Sequence, residues 1–325
     1  MTKRAELLRL TLAFGLAWLP LAANAQLAEK PPRVGLLGSY SPTSPLYEAF
    51  RQGLRELGYV EGTNLIIEAR FADGQLDRLP EFARELAGLN VNVMFVSGDQ
   101  GLRAAKEATN TIPIVVSACD PIDSLVASVA RPGGKATGFS CISSELAGKR
   151  LQLLKELVPE LSRVAVLYNP EDRNKAWEYE HVQDAASRLN LTLDAFEARS
   201  ATEIDQASIR IADQRAQAVL IFADPLMFSN VKKLAQVAMR HKFPAMFGFR
   251  EFPEAGGLIS YGAIAREQYR RVASYVDKIL KGTDPGDLPI QQATRFELII
   301  NLKTAKALGV QLPDKLLALA DEVIE

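Results

Sequence analysis

The amino-acid sequence predicts an α/β protein built from two doubly wound parallel-sheet lobes joined by a hinge. Short apolar runs that end in glycine or a polar residue alternate with amphipathic helical segments along most of the chain. This alternation is typical of parallel sheets with helices on both faces. The pattern restarts near the middle of the chain, which indicates a second sheet of similar size. A length of 325 residues also fits two domains.

The first sheet is predicted from five apolar strands. Its first strand, Arg33–Gly38, leads into a helix that Ser44 caps and Pro45 begins, since serine is favoured at the N-cap and proline at the first helical position. Apolar residues recur in that helix at spacings of three and four, and Gly58 marks its end. The other strands are expected at 65–69, 91–96, 112–118 and 136–139, with further helices ending near residue 89 and covering 100–109 and 122–130.

The second sheet is predicted from the same pattern after a helix at 144–157. Strands are expected at 163–168, 191–197, 218–222, 244–247 and 258–261, with helices at 174–189, 203–215 and 226–241. A helix at 266–281, a turn at 282–286, a short strand at 296–300 and two closing helices follow. We assign 31–140 with 263–289 to lobe I and 141–262 with 290–325 to lobe II. The crossover at 140–144 has no flexible spacer, so hinge bending is the expected motion.

The first 25 residues have the features of a cleaved signal peptide. Lys3 and Arg4 precede an apolar stretch from residue 10 to residue 23, and the small-residue pattern Ala23-Asn24-Ala25 comes directly before Gln26. A membrane anchor is the alternative, but the run is shorter than the roughly 20 residues that a span needs. No cysteine near the cleavage point offers a lipid attachment site. The sequence therefore predicts a periplasmic protein without a lipid anchor.

Charge and cysteine content exclude several classes of function. The 38 basic and 39 acidic residues nearly balance, so nucleic acid is not an expected partner. Two cysteines, Cys119 and Cys141, make no disulfide framework and no zinc motif. They follow strands that are predicted to be neighbours, and both a single disulfide and two buried thiols remain open.

Candidate ligand-binding residues come from the loops after the predicted strands, because ligands of open parallel sheets bind outside the carboxyl ends of the strands. These residues are Ser39, Tyr40, Ser97, Gly98, Asp99, Gln100, Asp120, Tyr168, Asn169, Asp224, Phe247 and Tyr261. Each has a structural alternative: Asp120 and Asp224 precede proline and can cap helices, and Tyr168 and Tyr261 can be core aromatics. The hypothesis of a binding site depends on their convergence from the two lobes.

Catalysis is not expected from this sequence. Its two histidines, His181 and His241, lie in predicted helices, away from the cleft loops, and no hydrolase, nucleotide-binding or metalloprotease motif is present. We therefore expect a protein that is not an enzyme and that holds neither cofactor nor metal. An exported two-lobed protein with a polar cleft is most simply a solute receptor.

Eight stretches together resemble the ABC-transporter substrate-binding proteins of the tryptophan/tyrosine-binding type, over essentially the whole chain after the signal peptide. They are 33–39 (RVGLLGS), 50–59 (FRQGLRELGY), 74–80 (GQLDRLP), 111–115 (TIPIV), 130–134 (ARPGG), 248–252 (GFREF), 275–282 (YVDKILKG) and 296–309 (FELIINLKTAKALG). The resemblance implies a type I periplasmic-binding-protein fold, a small polar or amino-acid-like ligand, which is aromatic in the members with a shown preference, and delivery of that ligand to a membrane permease with its ATPase. We expect a monomer. The alternative is a ligand-sensing subunit of a signalling receptor with the same fold.

The loop after the third strand departs from the family pattern. Many relatives read Gly-Gly-Thr-Pro there, whereas this chain reads Ser97-Gly98-Asp99-Gln100. Cys119 likewise replaces the glycine usual before the aspartate of the next loop. Asp99 would repel a ligand carboxylate unless a cationic group, such as an α-ammonium, lies between them.

Overall fold

The computed structural model describes residues 30–119, 128–172 and 174–325, and residues 32–325 belong to one compact unit. The first of its two sheets contains β1 (Arg33–Gly38), β2 (Ile66–Phe71), β3 (Val93–Ser97), β4 (Ile114–Ala118), β5 (Ala136–Ser140) and β11 (Gln291–Gln292). These strands pair in parallel in the order β11-β5-β4-β3-β1-β2. Its helices are α1 (Pro45–Glu56), α2 (Leu79–Gly88), α3 (Gly98–Ala108) and α10 (Ala265–Leu280), and a 3₁₀ turn covers Leu76–Arg78.

The second sheet has the strand order β13-β12-β10-β9-β8-β6-β7. Its strands are β6 (Arg163–Tyr168), β7 (Thr192–Glu197), β8 (Ala218–Ile221), β9 (Ala245–Phe247), β10 (Ile259–Ala263), β12 (Phe296–Asn301) and β13 (Glu322–Ile324). Its helices are α4 (Ala147–Leu157), α5 (Asn174–Arg188), α6 (Ala201–Asp213), α7 (Pro225–Ser229), α8 (Val231–His241), α9 (Glu251–Glu254), α11 (Leu302–Leu308) and α12 (Asp314–Leu319). All pairs in this sheet are parallel except β10 with β12.

The predicted α/β class with two doubly wound, mainly parallel sheets is confirmed, and the structure changes some of its elements. The expected helix at 226–241 is two helices, because Asn230 leaves the helical conformation between them and its side-chain amide donates to the Leu226 carbonyl oxygen at 2.9 Å. The strand Gln291–Gln292 pairs with β5 of the first sheet, although it lies in the range expected for lobe II. The signal peptide and most of the helix expected at 122–130 lie outside the described residues.

Apolar layers on both faces of each sheet hold the fold together. In the first sheet, α2 and α3 cover one face, and α1 with α10 cover the other. The α1–α10 packing is close, because a Cβ atom at Gly53 would lie 2.2 Å from the Arg270 carbonyl oxygen. Glycine is therefore required at this position of α1, and α10 is fixed to the first sheet although it follows a strand of the second.

The described chain crosses between the two sheets at 141–146, at Ile264 and at 293–295. The buried guanidinium of Arg150, on α4, contacts the first of these crossings and the strand that leads into the second. Its Nη1 and Nη2 donate to the carbonyl and hydroxyl oxygens of Ser143, at 3.0 and 2.9 Å, and its Nε donates to the carbonyl oxygen of Tyr261, in β10, at 2.7 Å. Arg150 thereby ties the crossing at 141–146 to β10 of the second lobe.

Candidate functional site

A cavity lies between the two sheets, at the carboxyl ends of their parallel strands. It has about 570 Å³ of empty space, part of which is open to solvent. Its lining consists of Ser39, Tyr40, Leu46, Gly98, Asp99, Ser117, Cys119, Cys141, Ala223, Asp224, Pro225, Phe228, Phe249, Ala265, Gln268 and Tyr269. Loops of both lobes and the first turns of α10 therefore enclose the space.

The cavity contains one buried carboxylate from each lobe. Asp99 lies in the first turn of α3 and is 4% exposed, and its carboxylate is 3.9 Å from the Arg103 guanidinium, which is 39% exposed. Asp224 is the N-cap of α7, and its Oδ1 accepts from the backbone N–H of Met227 at 2.6 Å. Both carboxylates are thus at helix N-termini, where the helix dipole stabilises negative charge.

Hydroxyl groups form the polar part of the lobe I wall. The Ser97 hydroxyl accepts from the backbone N–H of Ser39 at 2.8 Å and shares a further 2.8 Å hydrogen bond with the Ser39 hydroxyl. The Gln268 amide donates to Ser117 Oγ at 2.9 Å. These bonds join the loop after β1 to the end of β3, and β4 to α10.

The aromatic side chains form the apolar part of the wall. Tyr40 packs edge-on against Tyr269, with ring centroids 5.7 Å apart, and Phe228 packs edge-on against Phe249 at 5.4 Å. Burial raises the pKa of both Tyr40 and Tyr269, so neither phenol ionises near neutral pH. The Tyr40 hydroxyl has no hydrogen-bond partner among the described residues. These rings give the cavity apolar surface from both lobes.

The lobes contact each other beside the cavity. The Ser229 hydroxyl of lobe II donates to the Ser39 carbonyl oxygen of lobe I at 3.2 Å. Gly98, at φ +77°, faces Pro225 so closely that a Cβ atom there would lie 2.9 Å from the proline Cγ. A side chain at position 98 would therefore hold the lobes apart.

Five of the residues predicted from sequence line the cavity. They are Ser39, Tyr40, Gly98, Asp99 and Asp224. Ser97 contacts Ser39 directly behind that lining. Asp120 lies outside the described residues.

The other predicted residues are not part of the cavity lining. Tyr168 and Tyr261 pack in the core on the other face of the second sheet, where the Tyr168 hydroxyl is 3.4 Å from a Glu197 carboxylate oxygen. Phe247 is fully buried behind Phe249. The side chain of Asn169 accepts from a backbone N–H two residues along the chain, and Gln100, in the first turn of α3, is half-buried.

Gln268 and Tyr269 are part of the lining that the sequence did not predict. They lie on α10, which follows a strand of the second sheet in the chain but packs on the first, so strand-end loops do not lead to them. Their burial at adjacent positions in an amphipathic helix is the signal that could have pointed to them. Phe228 was missed because it lies in α7, seven residues after the end of β8. Cys141 directly follows β5 and was considered only for a disulfide.

Residues 43–324 match the family model of ABC transporter substrate binding proteins. The chain belongs to this family. A relative named tyrosine-binding protein, from Clostridioides difficile (strain R20291), is 26% identical over 266 residues, which cover 81% of this chain and 76% of the relative.

Two solved structures are similar to this substrate-binding protein over 90% of its chain. A conserved domain protein from Vibrio cholerae O1 biovar El Tor (strain N16961) is 28% identical with a TM-score of 0.83, and all of that chain is covered. The ABC domain in complex with L-Trp from Streptococcus pneumonia is 24% identical, also with a TM-score of 0.83, and 99% of it is covered. The similarity to the L-Trp complex shows that the two proteins have the same fold.

Metal binding and membrane spanning have no support in the described part of this substrate-binding protein. No group of three or more His, Cys, Asp or Glu side chains there is arranged to hold a metal ion. No helix in the same residues combines the length and apolar character that crossing a bilayer requires.

The two cysteines of this substrate-binding protein both line the cavity. Ala118 pairs with Ser140, so Cys119 and Cys141 are at adjacent positions after neighbouring strands, and no disulfide joins them in the structure. We expect protein that is denatured without reductant to show two thiols by mass spectrometry after alkylation. In the native protein Cys119, which is half-buried, should react faster than Cys141, which is 2% exposed. A mass lower by two hydrogens and no alkylation would show a disulfide instead.

Proposed function

We propose that this protein is the extracytoplasmic binding component of an ABC importer and that its lobes close on a small solute with a protonated amine and an aromatic or apolar body. The observation that carries the proposal is the pair of buried carboxylates, Asp99 from lobe I and Asp224 from lobe II, in one cavity lined otherwise by aromatic and small side chains. A cation held between them would link the two lobes.

The charge of the cavity favours a cationic solute. No Lys, Arg or His occurs among the described residues of its lining. An ammonium group complements such a lining, since it carries a positive charge and three N–H donors.

The aromatic residues favour a ring on the same solute. Aromatic pairs prefer edge-on or offset packing at centroid distances of about 4.5–7 Å, and Tyr40, Tyr269, Phe228 and Phe249 already show such geometry around the cavity. The names of two similar proteins point in the same direction, because one is called tyrosine-binding and the other was solved with L-Trp.

The partners follow from the family. Binding proteins of ABC importers deliver their solute to a membrane permease and its ATPase, and they change shape by hinge bending between lobes. We propose that this chain is exported to the periplasm by its signal peptide, acts there as a monomer without catalysing a reaction, and presents the closed form to the permease.

Small-angle X-ray scattering with and without aromatic amines and amino acids tests this function. We expect a bound solute to decrease the radius of gyration, because closure brings the lobes together. Gly98→Ala should prevent full closure, since the added methyl group would meet Pro225. Gly58→Ala is the matched control, because it has the same left-handed backbone (φ +86°) with no atom within 4 Å of the added Cβ. Equal closure of both variants, or no closure of the parent protein with any solute, contradicts the proposal.

A further inference from the structure

We infer that Cys119 and Cys141 form a dithiol site in the cavity wall, which small disulfide compounds oxidise to an internal disulfide while the lobes are open. This inference goes beyond solute binding, and only its dependence on open lobes rests on the proposed function. It comes from the register of the two cysteines in the sheet, the cavity that both of them line, and the difference in their burial.

The register of the first sheet places the two cysteines opposite each other. Ala118 pairs with Ser140 in the parallel ladder of β4 and β5. Cys119 and Cys141 are the next residues along the two chains. Because successive side chains alternate between the two faces of a sheet, residues at opposite positions share a face. Both cysteine side chains accordingly line the same cavity.

Backbone hydrogen bonds keep the two cysteines at this spacing. The Cys141 N–H donates to the Ala118 carbonyl oxygen at 2.9 Å. The Ser143 N–H donates to the Cys119 carbonyl oxygen at 2.8 Å. Neighbouring strands lie about 4.8 Å apart, and the two Cα atoms of a disulfide lie about 4.4–6.8 Å apart. The backbone therefore has the spacing that a bridge requires, and rotation of the two side chains is enough to form it.

The two thiols differ in burial, and this difference assigns their roles. Cys119 is half-buried, whereas Cys141 is 2% exposed. A small molecule that enters the cavity therefore reaches the Cys119 sulfur more readily. Access to the sulfur is one of the factors that set the rate of thiol–disulfide exchange. Cys119 is thus the attacking thiol, and Cys141 is the thiol that completes the bridge.

The reaction is thiol–disulfide exchange in two steps. The Cys119 thiolate attacks one sulfur of a small disulfide RSSR, the S–S bond of that compound breaks, and RS⁻ leaves with the electron pair. The Cys141 thiolate then attacks the Cys119 sulfur of the mixed disulfide and displaces the second RS⁻. The protons of the two cysteine thiols end on two molecules of RSH. The protein dithiol is oxidised to a disulfide, and RSSR is reduced.

The lobes control access to the two thiols. Pro225 and Phe228 of lobe II form part of the cavity wall, and the Ser229 hydroxyl bonds to the Ser39 carbonyl oxygen of lobe I. A small disulfide can enter when the lobes separate, whereas a protein oxidant is too large for a cavity of about 570 Å³. The site is therefore selective for small disulfides and for the open form of the protein.

Mass spectrometry after incubation of the folded protein with bis(2-hydroxyethyl) disulfide tests the inference. We expect the parent protein to lose two hydrogens and both alkylatable thiols. Trypsin cleaves at Lys135, between the two cysteines, so the digest should contain two peptides joined through Cys119 and Cys141. Cys141→Ala should stop at the mixed disulfide on Cys119. Cys119→Ala should react about tenfold more slowly than Cys141→Ala, because its remaining thiol is buried.

A second pair of variants tests the route of access. Gly98→Ala, whose added methyl group meets Pro225 and keeps the lobes apart, should be oxidised severalfold faster than the parent protein. Gly58→Ala has the same left-handed backbone with no atom within 4 Å of the added Cβ, so it should react at the parent rate.

Three outcomes would overturn the inference. They are a folded parent protein that keeps both thiols, a mixed disulfide in the parent protein that Cys141 does not displace, and equal rates of oxidation for the parent protein and Gly98→Ala. If a cysteine variant does not fold, the joined peptides of the parent protein decide. The proposed function fails separately, if scattering shows no closure with any solute.

Discussion

Asp224→Asn should weaken the binding of tryptamine and of tryptophan by about 2–5 kcal/mol, or roughly 30- to 4,000-fold. Both compounds carry an ammonium group, and the substitution removes the charge of a buried partner, since Asp224 is 4% exposed. The fold should be little affected. Asparagine caps helices about as well as aspartate, so its side-chain oxygen can still accept the Met227 N–H.

A matched pair of variants separates this charge effect from helix capping. Ser200 caps α6, where its hydroxyl accepts from the backbone N–H of Glu203 at 3.2 Å, and it is not part of the cavity lining. Ser200→Ala should therefore cost about 0.5–2 kcal/mol of stability and leave the dissociation constant unchanged. If Asp224→Asn lowers the melting temperature as Ser200→Ala does and binds the ligand as tightly as the parent protein, the only role of Asp224 is to cap α7. Calorimetric titration and thermal melting of both variants decide this.

Arg150→Met should lower the free energy of unfolding by about 3–5 kcal/mol, the usual effect of breaking a buried ion pair from one side. Arg150 is 1% exposed, and its guanidinium is 3.9 Å from the Glu178 carboxylate, which is fully buried. Glu178 would keep its 2.8 Å contact with the Lys175 ammonium. The crossing at Ser143 would lose two hydrogen bonds from Arg150, and Tyr261 in β10 would lose one.

Urea denaturation measures this change, and Arg163→Met is its control. Arg163 also pairs with a carboxylate, that of Asp194, but its side chain is 44% exposed, and exposed pairs contribute about 0–1 kcal/mol. We expect the free energy of unfolding of Arg163→Met to lie within about 1 kcal/mol of that of the parent protein. Similar free energies for the two variants would show that burial of Arg150 has no special role in the stability of the hinge.

Local patterns predicted the regular elements of this fold because each depends on residues close in sequence. The N-cap Ser44 and the proline after it begin α1 where expected, and the apolar runs of β1 and β6 have the predicted bounds. The long helix expected at 226–241 was wrong, because the interruption at Asn230 depends on a side-chain bond to Leu226 that has no clear sequence signature.

The candidate site was predicted only where it follows strand ends. Ser39, Asp99 and Asp224 each lie within three residues of the end of a parallel strand, and parallel topology brings such positions to one edge of a sheet. Tyr168 and Tyr261 also end strands, but successive side chains point to opposite faces of a sheet. These two point into the core on the face away from the cavity.

The sequence by itself determined that this protein is a two-lobed α/β protein of a binding-protein family, with carboxylates after the strands of both lobes. The tertiary structure alone decided that α10 returns to the first lobe, that Gln268 and Tyr269 complete the cavity, and that Gly98 contacts Pro225 across the lobes. The physical reason is that periodicity and capping are local properties of the chain. The composition of a cavity depends on contacts between residues more than 100 positions apart, which only the packed lobes bring together.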